Sequence, residues 1–380
     1  MNTRYEFLKR FFLAGTVAFL PVPGLFAQDA APPASKDAKR FAVSYGDKIN
    51  RQKAPPRTIT IPNVGEYTVL KGDFHMHTIF SDGRVMPQDR VSEAVDSGLD
   101  VISITDHLGS RGQFKLTEDQ NIAYTIAKPE ADKKKLILVH GTEITGNTMP
   151  PGHLNALFIT DANAIAPAAA AKDWKKALAV AAEQGAFIQW NHPGWVSNGG
   201  GLKKDEPMYF SDFHEEARLK GHLHGIEVFA NSACLYHPVA HDWCNEKDLA
   251  VMTNTDLHPS ELERFGPQNQ RRQITLILAK ERTLESVKEA MFARRTVGWA
   301  ADMVFGRDPW IEKLFRSCVE IKKTETGLTL RNLSDIPCVI EADGKTSELA
   351  PQGTVEIGPA KKLIVTNWFV GAFKPLEIVP

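Results

Sequence analysis

Beyond residue 66 the chain alternates short apolar runs with longer runs of helical period. The strand-like runs are Tyr67–Leu70, Val101–Thr105, Leu136–Val139, Leu154–Ile159, Ala186–Trp190, Gly225–Phe229, Ala250–Thr253 and Ile274–Leu278. Nearly continuous apolar character marks strands covered on both faces, whereas strict alternation would mark one wet face. Helices fit the intervals. Pro87 stands where a first-turn proline belongs, ahead of Arg90, Val91, Ala94 and Val95, and Gly98 closes that segment. Asp173 precedes Trp174, Ala177, Leu178 and Ala181, with Gly185 beyond them. Thr283 caps Leu284–Phe292, and Glu285 early with Arg294-Arg295 late suits the helix dipole. This alternation predicts an α/β fold on a parallel sheet or barrel.

After about Ala301 the helical runs stop. Residues 317–380 carry short alternating runs (Val319–Lys322, Leu328–Arg331, Cys338–Glu341, Thr354–Ile357, Leu363–Val370) and a hairpin signal at Asp343-Gly344. They predict a small C-terminal all-β appendage, and it contains no histidine. At the other end, Arg4, Lys9 and Arg10 precede the apolar run Phe11–Leu20, which Pro21, Pro23 and Gly24 then break. Residues 1–27 read as a signal peptide cleaved near Ala27. That run is shorter than the roughly 20 residues of a membrane span, and no later stretch qualifies. Lys9-Arg10-Phe11-Phe12-Leu13 resembles a twin-arginine signal with Lys in place of one Arg. A secreted or periplasmic location with no membrane span is therefore expected. The division is 1–27 signal peptide, 28–66 flexible lead-in, 67–316 main unit and 317–380 small β domain.

Composition changes this picture little. Apolar residues make up 43% and charged residues 24%, ordinary globular values. Lys+Arg 45 against Asp+Glu 46 leaves a net charge of −1, which argues against bulk nucleic acid as a partner. None of Cys234, Cys244, Cys318 and Cys338 forms a CxxC pair, so a thiolate zinc site is not expected. Export permits Cys234–Cys244 and Cys318–Cys338 disulfides; four free buried thiols are the other reading.

The chemistry gathers at strand ends, where open α/β sheets and barrels bind ligands. Asp73-Phe74-His75-Met76-His77 leaves the first run, and alternation puts His75 and His77 on one side with Phe74 and Met76 on the other. Ser81-Asp82-Gly83 then turns the chain. Asp106-His107, Gly141-Thr142-Glu143, Gly152-His153, Asn191-His192-Pro193 and Asn254-Thr255-Asp256-Leu257-His258 stand at or beside later runs. A single histidine of this kind would more often be a loop or core residue. Nine such positions together are a metal-ligand pattern. His214, His222, His224, His237 and His241 lie away from strand ends and are expected on the surface, and His140 in the core.

These motifs, in order, type and spacing from about Tyr67 to Ala301, resemble the polymerase and histidinol phosphatase (PHP) superfamily. The resemblance implies a distorted (β/α)7 barrel and three divalent metal ions. His75, His77, Glu143 and Asp256 would hold one, Glu143 would bridge to a second held by His153 and His192, and Asp82, His107 and His258 would hold the third. His75, His77, Glu143, Asp256 and His258 are the expected catalytic set. Asp73 and Asp106 are read as groups orienting imidazoles, with a helix- or strand-capping role as the alternative. The family usually has a Gly-Ser or similar pair where this chain has Asn254-Thr255.

An all-N/O ligand set suits Zn, Mn or Fe. Three carboxylates offset half the charge of three divalent ions, leaving a cluster that attracts an anion such as phosphate. A metal-activated water then serves as nucleophile, with no Ser or Cys required. Arg111 and Arg264 are candidate substrate-binding cations, and Trp190 and Trp195 candidate pocket walls. The expectation is an exported phosphoesterase acting on a small phosphorylated substrate. Amide or lactone hydrolysis, or a non-catalytic metal-containing binding protein, are the alternatives.

Overall fold

A computed structural model describes residues 43–44, 58–109, 116–197, 201–230, 235–265 and 272–380. The expected signal peptide, most of the lead-in, Arg111 and Cys234 lie outside the described residues. Every strand-like run before Ala279 becomes a strand: β1 Thr68–Asp73, β2 Val101–Ile104, β3 Ile137–Thr145, β4 His153–Leu157, β5 Phe187–Trp190, β6 Gly225–Ala230, β7 Ala250–Thr253 and β8 Ile274–Ala279. Two more, β9 Thr296–Ala300 and β10 Met303–Gly306, follow. The helices are α1 Pro87–Asp96, α2 Ile122–Lys134, α3 Ala166–Ala170, α4 Trp174–Glu183, α5 Asp212–Leu219, α6 Pro238–Glu246, α7 Glu261–Phe265, α8 Leu284–Phe292 and α9 Trp310–Cys318. Pro87 takes the first turn of α1, and the Asp173 and Thr283 side chains cap α4 and α8 by accepting from Lys176 N and Ser286 N.

The fold is mixed α/β around one large sheet, in the order β6-β5-β4-β3-β2-β1-β8-β9-β10, with β7 also paired to β6. It is not the all-parallel sheet that the alternation suggests. β1–β2, β2–β3, β5–β6 and β6–β7 are parallel, but β4 runs antiparallel to both β3 and β5, and β8 antiparallel to β1. Between β3 and β4 there is only a short loop, too short for the crossover a parallel partner needs. Among the described residues no ladder joins β7 to β8. The Thr275 hydroxyl of β8 instead accepts from Thr253 N (2.9 Å) and donates to Thr253 O (2.8 Å).

The C-terminal strands are β11 Val319–Lys323, β12 Leu328–Asn332, β13 Cys338–Ala342, β14 Lys345–Leu349, β15 Thr354–Ile357, β16 Leu363–Gly371 and β17 Lys374–Ile378. β11, β12 and β15 make a separate three-stranded sheet, while β16 pairs in parallel with β10 and carries β13, β14 and β17 into the large sheet. Leu330, Ile340 and Trp368 share one apolar core with Ile102 and Leu276. Asp343 and Gly344 turn the β13–β14 hairpin at positive φ, 48° and 77°.

One of the two cysteine readings holds here, and the surface placement of three histidines fails. Cys318 and Cys338 are buried free thiols, not a disulfide; they pack as small apolar groups, and burial pushes the Cys318 thiol up to about 12. Cys244 is likewise free and buried. His214, His237 and His241 are fully buried rather than on the surface. His214 stacks on Trp190 at 3.8 Å and donates to Pro151 O, and His241 donates to Gly306 O. Those hydrogen bonds to backbone carbonyls let neutral His214 and His241 sit inside, whereas both ring nitrogens of His237 are buried without a hydrogen-bond partner. Among the described residues no helix is long and apolar enough to cross a membrane.

Candidate metal centre

The segment after β1 is tied to the segment after β7 by the Met76–Leu257 bridge and by His77 N donating to Leu257 O. Phe74 and Met76 are fully buried among apolar side chains. His75 and His77 meet the other ligand candidates. Asp256 Oδ1 lies 3.2 Å from His75 Nε2 and 3.0 Å from His77 Nε2. Glu143, inside the long strand β3, puts Oε2 3.7 Å from His75 Nε2, 3.5 Å from His77 Nε2 and 2.8 Å from His107 Nδ1. Its other oxygen is 3.0 Å from His153 Nδ1, because antiparallel β4 begins where β3 ends. Asp82 approaches His107 Nε2 at 3.3 Å and His258 Nε2 at 3.2 Å. His77 stacks between His107 and His258, and His75 lies over His192.

All nine expected positions are thus brought together. Eight of them form three overlapping groups with donor atoms within 4.8 Å of one another: His77, Asp82, His107 and His258; His75, His77 and Asp256; and His75, Glu143 and His192; His153 joins through Glu143. His77 belongs to two of them. The fit to metal ions rests on the donors themselves. His75 Nε2, Glu143 Oε2 and His153 Nε2 are buried with no hydrogen-bond partner, an arrangement that costs free energy unless something else satisfies it. Only Asp82 and His258, with side chains 31% and 29% exposed, open to solvent.

The electrostatics follow from crowding. Burial pushes His77 down to about 3, helped by His258 and His107. Burial also opposes charge on His107, but Glu143 and Asp82 outweigh it and raise that imidazole to about 9. Glu143 and Asp256 are buried, which favours their neutral forms, yet the surrounding histidines hold both well below the usual carboxylate range. The backbone is strained at two positions: His192 and Asp256 have φ of 29° and 51°.

The surroundings hold loops rather than rings. Asp106 accepts from Thr78 N, Thr78 Oγ1 and Ser81 Oγ, fixing the turn that presents Asp82. Gly83 packs so closely on this turn that a Cβ there would lie 2.5 Å from the His77 carbonyl. Asp73 accepts from Thr255 Oγ1 and from buried Arg272, which also pairs with Glu261. Neither aspartate orients an imidazole through its hydrogen bonds, contrary to the first of the two readings; they bind backbone, hydroxyl and guanidinium groups. Arg90 of α1 donates to the carbonyls of His77, Leu257 and His258, clamping both ligand loops. Sequence reasoning missed Arg90, whose signal is only a charged residue on an otherwise apolar helix face, and Arg272, which stands in a polar run just before β8. It also left Glu227 unassigned, a carboxylate inside an apolar strand and 2.8 Å from His75 Nδ1.

Trp190 is core, stacked on Trp243 and His214. Trp195 is half-buried with its ring against His153 and His192 at 5.3 and 5.2 Å. Arg264 sits on α7, its guanidinium 5.5 Å from the Phe265 ring centre.

No family model matches the chain. A solved two-domain protein from Bacteroides vulgatus, described as containing a predicted PHP-like metal-dependent phosphoesterase, is 34% identical and superposes with a TM-score of 0.76. The match covers 85% of this chain and 98% of that one. An uncharacterised curated protein from Methanocaldococcus jannaschii is 37% identical over 78 residues, which is 20% of this chain and 34% of that protein. The chain thus spans about a third of that curated relative. A putative metal-dependent phosphoesterase from Bifidobacterium adolescentis is 18% identical, covering 59% of this chain and 96% of its own, at a TM-score of 0.37. The chain belongs to the PHP-like metal-dependent phosphoesterases. It is a metal-dependent hydrolase.

Proposed function

We propose that this chain is an exported phosphoesterase that hydrolyses a phosphomonoester or small phosphodiester at a trinuclear site. The observation that carries the reading is the convergence of His75, His77, Asp82, His107, Glu143, His153, His192, Asp256 and His258, with three of their buried donor atoms unpartnered. In this reading His75, His77, Glu143 and Asp256 hold one ion, Glu143, His153 and His192 a second, and Asp82, His107 and His258 a third. The ions, Zn, Mn or Fe, supply Lewis acidity that activates a water and neutralises phosphoryl oxygens. The protein's own part is to keep Glu143 and Asp256 ionised, to exclude bulk water except past Asp82 and His258, and to wall the pocket with Trp195. Arg111 and Arg264 are proposed to meet the anionic substrate from outside the cluster.

Residues 67–316 form the hydrolase unit in this reading, with β1 to β8 wrapped as a distorted barrel, one strand more than a (β/α)7 barrel has, in which Thr275 substitutes for a ladder between β7 and β8. Residues 317–380 form the β domain that supports it. Export through the segment 1–27 predicts a mature N-terminus at Gln28, readable by N-terminal sequencing of the secreted protein.

The test is turnover of Mn- or Zn-loaded protein on p-nitrophenyl phosphate and bis(p-nitrophenyl) phosphate. Hydrolysis of either supports the proposal. No hydrolysis with ions demonstrably bound overturns it and turns attention to amide and lactone substrates.

A further inference from the structure

Glu227 is fully buried on β6, at the point where its register with β7 shifts by a bulge between Glu227 and Phe229. Bulges re-aim side chains beside active sites. Every polar contact of Glu227 is with a donor. Oε1 meets His75 Nδ1 at 2.8 Å, Gln189 Nε2 at 3.0 Å and Asn254 Nδ2 at 2.9 Å, while Oε2 accepts from His192 N at 2.9 Å. The amides are themselves fixed: Asn254 Oδ1 accepts from Phe74 N, and Gln189 Nε2 also donates to Asn191 Oδ1. Asn191 in turn donates to Glu143. A group surrounded by donors works only as an acceptor. The one partner with a choice of proton position is His75.

We propose that Glu227 is a positioning residue: by accepting from His75 Nδ1–H it fixes the tautomer that leaves Nε2 bare toward Glu143 and Asp256. Through His192 N it also sets the backbone of a second ligand candidate, so one carboxylate registers two ligand sets against each other. Asn254, where the resemblance leads one to expect a small residue, is part of the same device. This inference rests on the metal reading for its purpose but not for its test.

Glutamine cannot replace Glu227. Whichever way its amide is turned, an NH₂ group faces a donor, either His192 N–H or the trio at Oε1. The experiment is a long-range ¹H–¹⁵N spectrum of histidine-labelled, metal-free full-length protein, recorded at alkaline pH because, against burial, Glu227, Asp256 and Glu143 raise His75 well above the usual imidazole range and hold both nitrogens protonated near neutrality, followed by Mn²⁺ titration. Wild type is expected to show His75 protonated at Nδ1, and Glu227→Gln to show that form lost or mixed. Mn²⁺ affinity should fall by about 10–100-fold in the variant, the usual effect of removing a ligand's orienting partner. Asn254→Gly, which leaves the acceptor in place, should keep the wild-type tautomer. An unchanged His75 tautomer and unchanged affinity in Glu227→Gln would overturn the proposal, as would loss of the tautomer in Asn254→Gly alone. If Glu227→Gln does not fold, Glu227→Asp, with its acceptor withdrawn by one methylene, carries the same two outcomes. Wild type that binds no divalent ion refutes the metal reading, while the tautomer spectrum still decides Glu227.

Discussion

The strand-end region of the large sheet and the separate C-terminal sheet bury their residues in opposite ways. β2, β5 and β7 are buried at every position, and the residues just beyond β5 and β7 are buried too, although they are imidazoles, amides and carboxylates. β11, β12 and β15 instead alternate or lie open, with charges outward. Arg272 pairs with Asp73 and Glu261 in the interior, whereas Arg331–Glu320 and Lys362–Glu377 lie in solvent, where such pairs contribute little. One region holds polar groups in places that cost stability. The other is ordinary core, apolar inside and charged outside. Activity and stability should therefore respond to substitutions in different halves of the chain.

The largest expected effect is on activity. His77→Ala removes the imidazole common to two of the donor groups, and turnover on both nitrophenyl esters should fall by about 10³-fold or more, beyond the loss of a single electrostatic donor. Its circular dichroism should match wild type, because the substitution takes away a buried polar group and leaves the apolar layer beneath intact. Retained turnover would break the reading at its root.

The reverse effect is expected at Leu330, fully buried on β12 in the core shared by both regions. Leu330→Ala should cost roughly 2–5 kcal/mol in denaturant unfolding while leaving kcat/KM of the folded enzyme unchanged. A large loss of kcat/KM at temperatures where the variant is folded would show that the C-terminal strands shape the site, and the comparison would fail.

The two regions also differ in how legible they were. Phe74–Met76 alternation, the strand-end rule and the caps at Asp173 and Thr283 are local chemistry, and the structure follows them. So is the Asp343-Gly344 hairpin. What escaped depends on chain direction and on distant partners. The antiparallel course of β4 depends on how its apolar run pairs, which periodicity does not encode. Arg90 and Arg272 are legible only once the loops whose carbonyls and carboxylates they bind have been placed. Asp73 and Glu227 illustrate the limit: both are acidic residues on apolar strands, and only the fold assigns the imidazole to the second.

The smallest expected effect separates the regions by proton uptake. Burial lowers His237 to about 3 and His241 to about 4 from 6.5, and the C-terminal strands contain no histidine. A depressed folded-state pKa means that the unfolded chain binds more protons between those values, so this stability is complete above about 6.5 and drains away as pH falls toward 4. At pH 5 each histidine should account for on the order of 1–2 kcal/mol. His107, raised to about 9, works in the opposite sense in metal-free protein: its stabilisation is full below 6.5 and lost as pH rises through 9. The net slope is therefore a difference, and one variant isolates its acid part. His241→Gln can keep a donor toward Gly306 O without a titrating proton. Its unfolding free energy should lose less than wild type between pH 7 and pH 5, by one histidine's share. An identical slope in the two proteins would place the acid sensitivity outside the buried core of this region.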